Sequence, residues 1–198
     1  MRYKSSSFFF YAYRLQPYNL KKPYLCRKSS SMVTCYVLFG SNKGDRFVLF
    51  DKAYTFINNR CGRVTGVSSF YESEPWGFKA RNWFLNCLLM LETELPADEL
   101  MKALLQIESE LGRVRRPGKR GYASRTVDLD LIYYGAETID SKVVTVPHPR
   151  LHLRRFVLVP LCELCPDFVH PVFHLTNREL LAQCEDALEV RKIEATMS

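Results

Sequence analysis

The chain has 198 residues, 47% of them hydrophobic and 13% aromatic, enough to bury one proper core. Its formal charge of +7 points to nucleic acid only until the charge is located. Seven of the 28 Lys and Arg fall in residues 1–31, which hold no acid, and the other 21 match 21 Asp and Glu, so the body is formally neutral. No apolar run approaches the ~20 residues of a membrane span. The aromatic run at 8–13 is shorter than the ~7–15 residues of a secretory core.

Residues 1–31 are basic, rich in Ser and Tyr, and without a period. They read as a targeting peptide, a flexible tail, or sequence upstream of a start at Met32, and the domain is expected over 32–198. Cys35-Tyr36-Val37-Leu38-Phe39 is a continuous apolar run, as a central strand is, and Gly40-Ser41-Asn42-Lys43-Gly44 ends it. Asp45 is placed to cap a helix with Leu49, Ala53, Phe56 and Ile57 on one stripe. A second strand is expected over 64–71, then a loop rich in Pro, Gly and aromatics that includes Trp76. A third strand over 84–91 carries Asn86, either a satisfied core amide or a group that reads a ligand, because an unpaired buried amide costs ~1–3 kcal/mol.

Pro96 opens a helix with core stripe Leu100, Leu104, Ile107 and Leu111, stopped by Gly112. Six Lys or Arg then fall within residues 113–125, interleaved with Pro117, Gly118 and Gly121. The alternation Val127-Asp128-Leu129-Asp130-Leu131 follows, with both carboxylates on one face of a strand. Such a pair suits a hard cation such as Mg²⁺ shared with phosphate oxygens, and the guanidinium groups suit a polyphosphate. The same residues also fit a solvated loop and an edge strand with an Asp ladder. Pro147-His148-Pro149 makes a stiff turn before Arg150, Arg154, Arg155 and Phe156. Residues 157–161 are buried apolar chain, and a polar helix starts near Thr176. The seven cysteines are odd in number and scattered, as free thiols in a reducing compartment are. Cys162, Cys165, His170 and His174 have a spacer too short for a zinc finger. The order strand–helix–strand–strand–helix–strand predicts an α+β domain, a ferredoxin-like βαββαβ core with a short C-terminal extension.

Six segments in register carry a resemblance: Gly40-Ser41-Asn42, Ser68-Ser69-Phe70-Tyr71-Glu72-Ser73-Glu74-Pro75, Phe84-Leu85-Asn86, Gly112-Arg113-Val114-Arg115, Arg125-Thr126-Val127-Asp128-Leu129-Asp130 and Pro147-His148-Pro149-Arg150. Together they resemble the 6-hydroxymethyl-7,8-dihydropterin pyrophosphokinase family over about residues 34–175. The resemblance implies ATP-dependent transfer of a pyrophosphoryl group to the pterin's hydroxymethyl oxygen, with release of AMP, in tetrahydrofolate biosynthesis. It implies Mg²⁺, two ions, on Asp128 and Asp130, and catalytic roles for Arg113, Arg115, Arg125, Asp128 and Asp130. For the pterin it implies Phe84 and Phe156 as stacking rings, with Asn86, Ser73, Glu74, Pro75 and Trp76 around it. For ATP it implies Glu108, Arg113, Arg115, Tyr122, Arg125, His148 and Arg154. Its partners are then small molecules, not nucleic acid or membrane, in a cytoplasmic monomer or weak dimer. The rivals are a ferredoxin-like RNA-binding module, disfavoured by the neutral body, and a metal-dependent nuclease, which leaves Phe84, Asn86 and Phe156 without a task.

Overall fold

A computed structural model describes residues 31–114 and 123–193; the basic tail, apart from Ser31, and the centre of the basic loop lie outside these residues. The elements run β1 (Val33–Ser41), α1 (Arg46–Arg60), β2 (Arg63–Val67), β3 (Tyr71–Ser73), β4 (Phe84–Thr93), α2 (Ala97–Glu110), β5 (Asp128–Tyr134), the small pair β6 (Ile139–Asp140) and β7 (Thr145–Val146), a 3-10 turn at Leu151–Leu153, α3 (Arg155–Leu164), α4 (Asn177–Gln183) and β8 (Val190–Lys192). The main sheet is antiparallel in the order β5-β1-β4-β3-β8, with β2 beside β3 on β4. The ferredoxin-like α+β plan is thus the one observed, with β8 added at the far edge.

The central strand β1 is apolar on both faces because both faces are covered. Cys35, Val37 and Phe39 point to α1 and α2, against Phe50, Ala53, Ile57, Leu100, Leu104 and Ile107. Tyr36 and Leu38 point the other way, to α3 and α4, against Val157, Leu158, Leu161 and Leu180. The result is three layers, helix–sheet–helix, with a core on each side of the sheet.

The Asp45 cap, the Gly112 stop and the helix start near Thr176 fall where the sequence placed them. Asp45 accepts a hydrogen bond from Val48 N–H, Gly112 has φ +85°, and Thr176 forms a capping box with Glu179. Two elements differ from expectation. The 64–71 strand is two strands, because their register against β4 slips one residue at Thr65 and again between Val67 and Tyr71. Ser68 sits buried at the second slip, where its Oγ accepts from Leu88 N–H and donates to Ser69 O. The α1 stripe is rotated: Phe50 joins Ala53 and Ile57 in the core, while Leu49 and Phe56 are only partly buried. The apolar run after Phe156 is helix α3, with Pro160 inside it.

Cys35 and Cys87 are buried free thiols, Cys61 is buried too, and Cys162, Cys165 and Cys184 are half-buried and also free. No three His, Cys, Asp or Glu cluster at metal-binding distance among the described residues. His170 uses Nδ1 to accept from Val172 and Phe173 N–H, and Cys165 takes Asn177, so both are occupied in structure. Among the described residues no helix is long and apolar enough to cross a membrane.

Candidate active site

The sheet face that packs on α3 is bare at one end. There β1, β4 and β5 run on past the helix and make the floor of a cleft of about 540 Å³. Register places Gly40 between Asn86 of β4 and Asp128 of β5. A Cβ on Gly40 would lie 3.5 Å from Asn86 Oδ1, 3.7 Å from Asp128 Cβ and 3.9 Å from Phe84 Cδ1, so the missing side chain is the space between these three groups. Pairing with β1 continues through Leu38–Asp130, which puts both aspartates on this face, in line with the alternation.

At the β5 end the aspartates have different company. Asp128 is clamped by Arg113 on Oδ1 and by Arg125 on Oδ2. Glu108, fully buried at the end of α2, holds Arg113 through Oε1, which also accepts Leu129 N–H at 2.7 Å. Glu108 therefore lines the cleft as the group that fixes Arg113 to β5. Asp130 has weaker compensation. Burial and the adjacent Asp128 charge push its carboxyl up to about 7, against the pull of Arg154 and Arg125. A cation at this point relieves that repulsion.

His148 lies on the same wall, in the turn after the cis Val146–Pro147 bond. Burial and the charges of Arg154 and Arg150 push its ring down to about 4, and its Nδ1 accepts Arg150 N–H at 3.2 Å, as a neutral imidazole does.

The other end of the cleft is aromatic. Ser73, Glu74, Trp76, Phe84, Asn86 and Phe156 all line it, contributed by β3, β4, their connecting loop and the start of α3. Asn86 is buried, and its Nδ2 donates to Ser73 Oγ at 2.9 Å and Tyr71 O at 3.5 Å. Arg154, expected on the triphosphate, lines the cleft as a buried guanidinium 4.8 Å from the Trp76 ring centre and 5.7 Å from that of Phe156. A flat cation thus stacks among the rings expected to hold a flat heterocycle.

Thirteen of the sixteen expected residues meet in this one cleft. Pro75 lies in the loop without lining it, and Arg115 and Tyr122 fall outside the described residues. Phe78, Arg150 and Gly40 also line it and were not singled out for a site. Phe78 packs edge-on against Phe84 at 6.1 Å, in keeping with the aromatic richness read in the loop that includes Trp76. Buried Asn42 joins the loops: its Oδ1 accepts Arg125 N–H at 2.9 Å, and its Nδ2 donates to Ser124 Oγ and Asn82 O.

The sequence model of 7,8-dihydro-6-hydroxymethylpterin-pyrophosphokinase (HPPK) matches residues 36–166. The chain belongs to the HPPK family. It is 36% identical over 141 residues to the 2-amino-4-hydroxy-6-hydroxymethyldihydropteridine pyrophosphokinase of Porphyromonas gingivalis, covering 71% of this chain and 95% of that protein. With the Bacillus subtilis enzyme of the same name it shares 40% over 131 residues, 66% of this chain and 77% of that one. The folic acid synthesis protein of Schizosaccharomyces pombe is 37% identical over 170 residues, 85% of this chain, and the one from Dictyostelium discoideum 35% over 147 residues, 73% of this chain. The chain spans 23% and 22% of those two longer proteins. The HPPK-DHPS crystal structure of Plasmodium falciparum shares the fold, with TM-score 0.64 at 13% identity over 79% of this chain and 44% of that chain. The matched stretch contains every described residue of the cleft named above.

Proposed function

We propose that this protein transfers the pyrophosphoryl group of ATP to the hydroxymethyl oxygen of 6-hydroxymethyl-7,8-dihydropterin, forming the pterin diphosphate and AMP on the route to tetrahydrofolate. The observation that carries this reading is the shape of the cleft: one floor joins a stacking and hydrogen-bonding end to an acid–arginine end. Phe84 and Phe156 suit the faces of a flat heterocycle, and Asn86, held by Ser73, offers its carboxamide to the ring edge. Such stacking is worth roughly 1–3 kcal/mol per partner. Arg113 and Arg125 suit the phosphates, and His148, neutral in this setting, adds a donor or acceptor without charge.

Asp128 and Asp130 fit Mg²⁺, which binds through one or two carboxylates together with substrate phosphates. When bound there, Mg²⁺ neutralises phosphate charge and orients the β-phosphorus. The chain's own part is alignment. The aromatic end holds the pterin so that its hydroxymethyl oxygen faces the β-phosphorus, a new P–O bond forms there, and the bond to the α-phosphate oxygen breaks with AMP leaving in line. Arg113 and Arg125 stabilise the negative charge that moves onto the leaving AMP.

Incubation with ATP, MgCl₂ and the hydroxymethyl-dihydropterin tests the reading. AMP is expected in equal amount to pterin diphosphate and only when the pterin is present. Pterin-independent turnover, or ADP as the product, contradicts it.

A further inference from the structure

The HPPK sequence model ends at residue 166, yet the chain returns to the site after it. Strand β8, Val190–Lys192, pairs with β3, the short strand that feeds the loop 74–83 carrying Trp76 and Phe78 into the cleft. At the start of that loop, Glu74 N–H donates to Glu189 O at 3.2 Å and Glu189 N–H donates to Glu74 Oε2 at 3.0 Å. At its end, the Arg191 guanidinium lies 4.0 Å from the centre of the Trp83 ring. Arg46 completes that end, donating to Trp83 O at 3.3 Å and to Glu72 at 2.9 Å, the residue in register with Arg191. The returning strand is itself anchored: Ile193 N–H donates to Phe70 O at 2.8 Å, and Lys192 lies 3.6 Å from Glu163, whose carboxylate takes Ser69 and Tyr71.

Three residues of β3 are too few to hold a ten-residue loop containing Pro75 and Gly77, and an uncovered edge strand invites fraying. We infer that β8 and its flanks are a strap gripping both ends of the 74–83 loop, with Glu189 and Arg191 as positioning residues that set the affinity for the heterocycle. The inference rests on the reading of the cleft as a pterin site. Neither residue touches the cleft, so their effect passes through the loop alone.

The test uses the full chain and three variants, Arg191→Ala, Arg191→Lys and Arg191→Ala combined with Glu189→Pro, the proline removing the N–H given to Glu74. Arg191→Ala raises KM for the pterin roughly 2- to 5-fold, the size of an exposed cation–ring contact, with kcat and the KM for ATP unchanged. Arg191→Lys restores most of the affinity, because a cation still sits on the ring, and Glu189→Pro added to Arg191→Ala weakens pterin further. Amide exchange in residues 74–83 speeds up in the Ala and Pro variants while α2 exchanges as before. Wild-type pterin KM and wild-type loop exchange in Arg191→Ala overturn the inference, as does an equal rise in both KM values. If the unaltered protein makes no AMP from pterin, the functional reading fails, and loop exchange alone decides the strap.

Discussion

Removing the charge of Asp128 strands two guanidinium groups, whereas removing that of Asp130 relieves a repulsion. Arg113 and Arg125 both close on Asp128, while Asp130 is pushed up to about 7 by burial and by its neighbour. Asp128→Asn is therefore expected to destabilise the metal-free protein by about 1–3 kcal/mol, and Asp130→Asn to stabilise it. Thermal melts in EDTA check this, at roughly 2–4 °C per kcal/mol for a chain of this size. Asn variants that shift the melt in the same direction contradict the split. The strand alternation was enough to place both carboxylates on one face. It did not reveal their inequality, which comes from Arg113 being held by Glu108 on another element. Arg154 shows the same limit: its charge was legible, but its stacking beside Trp76 and Phe156 depends on how the start of α3 meets the 74–83 loop.

Elements with a strong period or a cap were readable. The β1 run, the α2 stripe and the Asp45 and Thr176 caps all stand where local chemistry puts them. The break between β2 and β3 was not readable, because a register slip is negotiated with β4 rather than encoded in the strand itself. Asn86 on β4 is a satisfied core amide that also faces the cleft. Its Nδ2 braces Ser73 and Tyr71 O, and its side chain still lines the cleft. Asn86→Ala should weaken pterin binding about 5- to 150-fold, the span of a lost buried hydrogen bond, with ATP binding little changed; calorimetry with each ligand measures both.

The turn after α3 supplies a pH dependence. Buried His170 accepts two N–H groups at Nδ1, and burial, first, then His152 pushes its ring down to about 4. A depressed folded value means the neutral ring stabilises the fold above the ordinary 6.5, and this contribution is lost as pH falls toward and through 4. Denaturant titrations should lose on the order of 1–3 kcal/mol over that window from this group. His170→Asn, which keeps an acceptor, should flatten the loss.

At the scale of the molecule, two cores clamp the sheet and leave one end of one face open, and that end is the candidate site. The buried apolar residues described run from Cys35 to Leu180, so a chain beginning at Met32 is expected to fold and turn over as the full chain does. A soluble-yield and rate comparison decides it, and an inactive shortened chain would make residues 1–31 part of the domain. The central claim is that the cleft moves a pyrophosphoryl group from ATP to the pterin under the control of Asp128 and Asp130. A single-turnover reaction with ATP labelled at its β-phosphorus measures this most directly. The account predicts label in the pterin diphosphate and unlabelled AMP for the unaltered chain, with the rate down by orders of magnitude in Asp128→Asn and Asp130→Asn. Label retained in ADP, or near-normal transfer in either variant, would contradict it.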